Sequence, residues 1–178
     1  MTKAASLLIA AVLVFPGALQ AQVGGGDPKD VETLDGILTA YYEVVSRPAG
    51  VAADRARDEW IHHPDALVGI VRVGEDGTRV LQTMTLSEYH DRLGRPDDEA
   101  FYEWEVHRVV QRFGAVSHVW STYASSREPG GEVFSRGINS IQLYDDGTRW
   151  WILSWVFDRE RTGNEIPAEF LPADASER

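Results

Sequence analysis

The chain has no cysteine, so disulfides, thiolate-held metals and a lipid anchor on an N-terminal cysteine are excluded, and its stability has to come from packing. Long apolar runs are scarce too. The one present, MTKAASLLIAAVLVFPGALQA, places Lys3 before an apolar stretch from Ala4 to Phe15 and then small residues up to Ala21. That is the layout of a secretory signal peptide cleaved after Ala21, and it predicts a secreted or periplasmic protein. No later segment is as hydrophobic, so no membrane contact is expected once the leader is gone. Positive charge is in short supply: 17 Lys and Arg face 28 Asp and Glu, for a net charge of −11, or −12 once Lys3 has left with the leader. Such a surface repels phosphate backbones, which sets nucleic-acid binding aside. The chain also lacks HExxH, a phosphate-binding glycine loop, a nucleophile elbow, a paired-carboxylate site and internal repeats. No metal and no cofactor are expected.

What is present reads as one domain, residues 29–161, after the leader (1–21) and a glycine-rich linker (22–28), with a proline-containing acidic tail over 162–178. Asp27-Pro28 signals a helix start, and Val31, Leu34, Leu38, Tyr41 and Val45 form one apolar stripe on a helix that must stop near Arg47, before Pro48. A second short helix is predicted over Val51–Trp60. Strands over Ala66–Val73 and Thr78–Met84 flank the turn Gly74-Glu75-Asp76-Gly77. Thr85-Leu86-Ser87-Glu88 is a capping box that opens a third helix, ended by Gly94 and Pro96. Four long strand-like runs follow, at 101–113, 116–126, 132–144 and 148–158, and predict an antiparallel meander.

This order of helices, hairpin and meander is that of an α+β domain whose helices pack on one face of a curved antiparallel sheet. The segment SHVWSTYASSREPGGEVFSRGINSIQLYDDGTRWWILSW, from Ser117 to Trp155, resembles secreted bacterial members of the nuclear transport factor 2-like, or SnoaL-like, superfamily. The resemblance implies a cone-shaped domain with a cavity between the first helix and the concave sheet, and dimers joined through the outer sheet face. It does not imply one activity, because the superfamily mixes enzymes with binding domains.

Three tryptophans fall within six residues, at 150, 151 and 155. A two-residue turn at Asp146-Gly147 pairs Leu143 with Trp150, Ile141 with Ile152 and Asn139 with Ser154 on one inner face. The other face then presents Trp151, Leu153, Trp155 and Phe157, a surface that needs covering. A second subunit is the expected cover, through Trp151, Leu153 and Trp155; the alternative is that Ile166–Leu171 folds back over those rings. A matching turn at Gly114-Ala115 pairs Gln111 with His118 and His107 with Thr122, which puts both histidines on one face. The 127–132 loop leaves open which face that is.

Polar residues predicted near the cone are Tyr41 from the helix stripe, Asn139 and Ser154 from the floor, and Trp60 and His63 at the mouth. Asn139 and Ser154 either meet a ligand or satisfy each other. Adjacent His62 and His63 point apart on an extended backbone, which argues against a metal pair. Of the catalytic branches of the superfamily, the ketosteroid isomerase pattern finds a match in Tyr41 or Tyr42, but no aspartate is predicted on the inner face. The aspartate-arginine-aspartate set of the epoxide hydrolases is not evident, and the dehydratase tyrosines and histidines are matched only in residue type. Two functions remain open: binding of a small, partly apolar molecule without turnover, or a cofactor-independent lyase, isomerase or hydrolase with His63 as base and Tyr41 as donor.

Overall fold

The computed structural model describes residues 26–173; the leader and most of the linker lie outside the described residues. Asp27 accepts the Lys29 amide at 3.0 Å and opens α1 (Lys29–Glu32). The single helix expected from the stripe is in fact two, because Thr33 is extended and its hydroxyl accepts the Gly36 amide at 2.9 Å, starting α2 (Leu34–Val45) afresh. At Gly36 the turn packs so closely that a Cβ would lie 2.4 Å from the Lys29 carbonyl. The stripe faces inward as expected, but Ile37, Ala40, Tyr42 and Val44 are buried as well, since α2 is enclosed on more than one side.

Asp54 caps α3 (Arg55–Ile61), and the chain runs straight on into β1 (His62–Val73). The glycine turn leads to β2 (Arg79–Thr85), and the expected capping box, with Thr85 and Glu88 exchanging hydrogen bonds, opens α4 (Leu86–Leu93). The meander consists of β3 (Tyr102–Phe113), β4 (Val116–Ser126), β5 (Val133–Asp145) and β6 (Trp150–Arg159).

The six strands form one sheet in the order β2-β1-β6-β5-β4-β3. It is mixed rather than purely antiparallel, because β1 runs parallel to β6 along the seam between the hairpin and the meander. The helices cover its inner face. Ile37, Leu38, Ile141 and Ile152 are fully buried there, and truncating any of them to alanine is expected to cost roughly 2–5 kcal/mol.

Three register shifts inside the meander decide which side chains face the helices. The β3–β4 hairpin pairs Phe113 with Val116, Gln111 with His118 and His107 with Thr122, as the two-residue turn predicts. The ladder then slips at Val106, so Glu105 pairs with Tyr123 and Glu103 with Ser125, on the inner face. The last hairpin turns elsewhere than expected. The Asp146 carboxylate accepts the Thr148 amide at 2.7 Å and the Arg149 amide at 2.9 Å, centring the reversal on Gly147-Thr148 and pairing Asp145 with Trp150. A further slip at Leu153 then pairs Ile141 with Trp155, Asn139 with Phe157 and Gln142 with Ser154. The third shift, between Ser125 and Ser126, falls where β4 enters the 127–132 loop.

Three expectations change as a result, Phe157 turning with Trp155 from the outer face to the cavity side. Trp155, assigned to the subunit-joining outer face, is buried under the helices with 4 % of its surface exposed, and Ser154, assigned to the cone floor, turns to the outer face beside exposed Gln142. One extra residue in a strand inverts everything beyond it. Trp151 stays outside, paired with exposed Tyr144. The tail is not wholly irregular: Ala168–Phe170 forms a 3-10 turn, with the Phe170 ring 5.6 Å from Trp120 and its carbonyl accepting the Thr122 hydroxyl at 2.6 Å. It thus covers outer-face residues of β4, with Ile166 buried beside them, rather than Trp151.

Candidate functional site

Between α2, α4 and the concave sheet the cone keeps a cavity of about 90 Å³, roughly three water molecules' worth of liquid. Tyr41 reaches it from α2, Tyr89 from α4, Glu103 from β3, Tyr123 and Ser125 from β4 and Asn139 from β5. β6 adds Trp155 and Phe157, with Arg159 on its exposed end.

Asn139 meets protein rather than open space: its amide donates to the Tyr42 hydroxyl at 3.2 Å. That hydroxyl lies 2.6 Å from Ser121, and Ser121 donates to Glu105 at 2.5 Å. Arg108 closes the chain by bridging Glu105 and Asp35. This is the mutual satisfaction weighed from sequence, with Tyr42 in place of Ser154 as partner. Burial drives the Tyr42 phenol far above its ordinary range.

The groups on the cavity side are less well partnered. Among the described residues no hydrogen bond reaches the hydroxyl of Tyr41 or Tyr89, although burial pushes both phenols well above their ordinary range, Tyr89 to about 13. Glu103 accepts the Ser125 hydroxyl at 3.0 Å on Oε2, while Oε1 has no hydrogen-bond partner among the described residues. Burial raises its carboxyl to about 7 against the smaller opposing effects of Ser125 and Arg159. Glu103 is not among the residues picked out from sequence. Its signal, a glutamate alternating with Tyr102 and Trp104, reads as a solvent face, and only the slip at Val106 turns it inward.

A second polar cluster sits behind Trp155. Asp58 on α3 accepts from His90 Nε2 at 2.9 Å, and His62 Nδ1 lies 2.8 Å from the Asp58 carbonyl and 3.0 Å from its carboxylate. The Trp155 indole N–H donates to His62 Nε2 at 3.1 Å. An indole can only donate, so Nε2 has to carry a lone pair and Nδ1 the proton; His62 is held as one neutral tautomer. Burial alone would raise Asp58, but the histidines outweigh it and hold the carboxyl down at about 2. These contacts tie α3, β1, α4 and β6 together.

The remaining expected site residues lie away from the cone. The Trp60 indole donates to the Asp27 carbonyl at 3.3 Å, and the Arg149 guanidinium is sandwiched between Trp60 and Trp151 at 4.2 and 3.6 Å. His63 is partly exposed, accepts the Asp65 amide at 3.2 Å and lies edge-on to Trp151. It therefore shares no cavity with Tyr41, which the His63–Tyr41 acid-base pair requires. His107 and His118 share the outer face, where His118 contacts Ser140 at 2.9 Å and burial lowers its pKa. Among the described residues, no group of three or more His, Asp or Glu side chains could hold a metal, and no helix is long and apolar enough to cross a membrane.

No protein-family model and no curated protein matches the chain. Solved structures do. A protein of Exiguobacterium sibiricum, provisionally named a calcium/calmodulin-dependent kinase II association domain, aligns with a TM-score of 0.51 at 13% identity over 72% of this chain and 91% of its own. A protein of Parabacteroides distasonis, provisionally named a ketosteroid isomerase, gives 0.49 at 12% identity over 75% and 97%. An NTF2-like protein of unknown function from Shewanella baltica gives 0.45 at 15% identity over 70% and 89%. At such identities likeness speaks for fold alone. A six-stranded mixed sheet, helices on its concave face and a cavity between them give this chain the nuclear transport factor 2-like α+β cone fold.

Proposed function

We propose that the protein binds a small, partly apolar molecule in its cone, with the Tyr41 and Tyr89 hydroxyls and Glu103 as polar contacts and Trp155 and Phe157 as apolar floor. One observation carries this reading: buried Tyr41 and half-buried Tyr89 and Glu103 face one cavity, and among the described residues two of their hydroxyls and one carboxylate oxygen have no hydrogen-bond partner. Buried polar groups are ordinarily satisfied, and a ligand is a natural partner for these. Asn139 keeps a supporting role through Tyr42. Native mass spectrometry of protein purified from its own host tests the reading. One small-molecule adduct per chain is expected, and it should weaken when Tyr41→Phe and Tyr89→Phe are combined; an adduct-free protein that also binds nothing in a fragment screen would sink it.

A second reading, a cofactor-independent lyase, isomerase or hydrolase, draws on Glu103, which titrates near neutrality beside two phenols. In this reading Glu103 replaces His63 as base. Turnover lost in Glu103→Gln and kept in His63→Ala would support it, and the reverse would refute it.

The reading also includes a secreted or periplasmic homodimer. Outer-face Leu67 and Leu81, 55 % and 53 % exposed, extend the surface that Trp151 begins, and Trp155 has no part in it. A Leu67→Glu, Leu81→Glu double variant that sediments as the wild type does would remove this assignment.

A further inference from the structure

The wall of the cone restricts what can occupy it. Trp155 and Phe157 lie side by side on β6, with centroids 6.2 Å apart and planes 27° from parallel. Tyr41 and Tyr89 stand against Trp155 at 73° and 89°, with centroids 5.9 and 5.3 Å away, and Tyr123 stands at 90° to Phe157 at 6.2 Å. Two rings thus make a floor and three make walls. Glu103 is the sole carboxylate on this lining, and among the described residues it forms no ion pair. Arg159, the one cation on the lining, sits at the exposed end 5.9 Å from the Phe157 centroid.

Ring faces carry negative potential and attract cations. A carboxylate set among them has only the distant Arg159 as counter-charge and no room for a full hydration shell. Metal ions suit the site poorly, because hard cations take six or more oxygen ligands, chiefly carboxylates and carbonyls, and the side chains lining the site offer one carboxylate among neutral phenols, hydroxyls and rings. A primary ammonium brings three donors, which would have to reach Glu103 and both unpartnered phenol oxygens at once and would leave the ring faces no alkyl group to contact. An ammonium clothed in methyl groups brings few or none, and presents apolar surface to every ring. The acidic chain, with its net charge of −11, also draws cations toward it.

Resting on the reading that the cone holds a small molecule, we propose that its occupant is a compact tertiary or quaternary alkylammonium group, with Glu103 as counter-ion and Trp155, Phe157, Tyr41 and Tyr89 as an aromatic box. The groups facing Glu103 are Tyr41 and Tyr42 from α2, Tyr89 from α4, Tyr123 from β4 and Arg159 from β6. The phenols stay neutral across the physiological range. Glu103 is the group whose charge changes, around pH 7, and only its ionised form complements a cation.

The test titrates tetramethylammonium against the full chain, followed by NMR of the Trp155 indole, with tert-butanol as a neutral probe of similar shape. Affinity for tetramethylammonium should rise roughly tenfold per pH unit from about pH 5 and level off above about pH 7. Glu103→Gln should weaken it at least tenfold, and Arg159→Ala should strengthen it. Should Glu103→Gln fail to fold, the wild-type pH profile decides alone. An affinity flat across pH, or tert-butanol binding as tightly as the cation, overturns the alkylammonium assignment but leaves a small-molecule cone standing. Failure of both probes to bind overturns the two together.

Discussion

Asp58 is buried and Glu103 half-buried in the same small domain, yet their surroundings push them in opposite directions. Asp58 sits between two histidines and is held down at about 2; Glu103 sits among rings with one serine and is raised to about 7. Desolvation acts on both. The difference lies in what offsets it: two nitrogen partners for Asp58, within 3.0 Å, against one hydroxyl and a distant guanidinium for Glu103. A carboxyl with its partners built in is a structural joint. One left short of partners beside a cavity is where a ligand has something to add.

Breaking the joint should have the largest effect. Asp58→Ala leaves His90 without its acceptor in a dry interior and removes the charge beside His62, which keeps the backbone carbonyl of residue 58; an unfolding free energy lowered by about 3 kcal/mol is expected from urea titration. The pH profile sharpens the contrast. Asp58 is more acidic folded than unfolded, so its contribution is present above about pH 4 and fades as pH falls toward about 2. Glu103 is less acidic folded than unfolded. Below its ordinary value of 4.5 both states are protonated and it costs nothing; between 4.5 and about 7 the unfolded chain ionises first, and stability falls as pH rises. The full cost above pH 7 is up to about 3 kcal/mol, so Glu103→Gln should be more stable than wild type at pH 8 and equal to it at about pH 4, by urea titration at each pH. The smallest effect belongs to the residue that sequence favoured as a base. His63→Ala touches a partly exposed ring held by one backbone amide, and should change stability by less than about 0.5 kcal/mol and leave cone binding unaltered.

Much of the fold was legible because it is encoded locally. The Thr85–Glu88 capping box, the Gly74–Gly77 turn and the Gly114-Ala115 hairpin each depend on a few adjacent residues, and each forms as expected. Tyr41 was legible as a cavity residue because helical periodicity fixes its direction. The break at Thr33 was hidden by an apolar stripe that continues across it.

The site was less legible, and two slips explain most of it. Alternation along β3 puts Glu103 and Glu105 on the face of His107, outside; the extra residue at Val106 turns both inward. Alternation along β6 puts Ser154 with Trp150, and the extra residue at Leu153 sends Ser154 out while bringing Trp155 and Phe157 in. By itself the sequence determined the elements, their order and the chemistry available along each strand, since these follow from short-range backbone preferences and turn residues. Only the tertiary structure decided which half of each strand faces the helices, because a bulge is settled by the packing of distant segments and moves no apolar residue in the linear pattern.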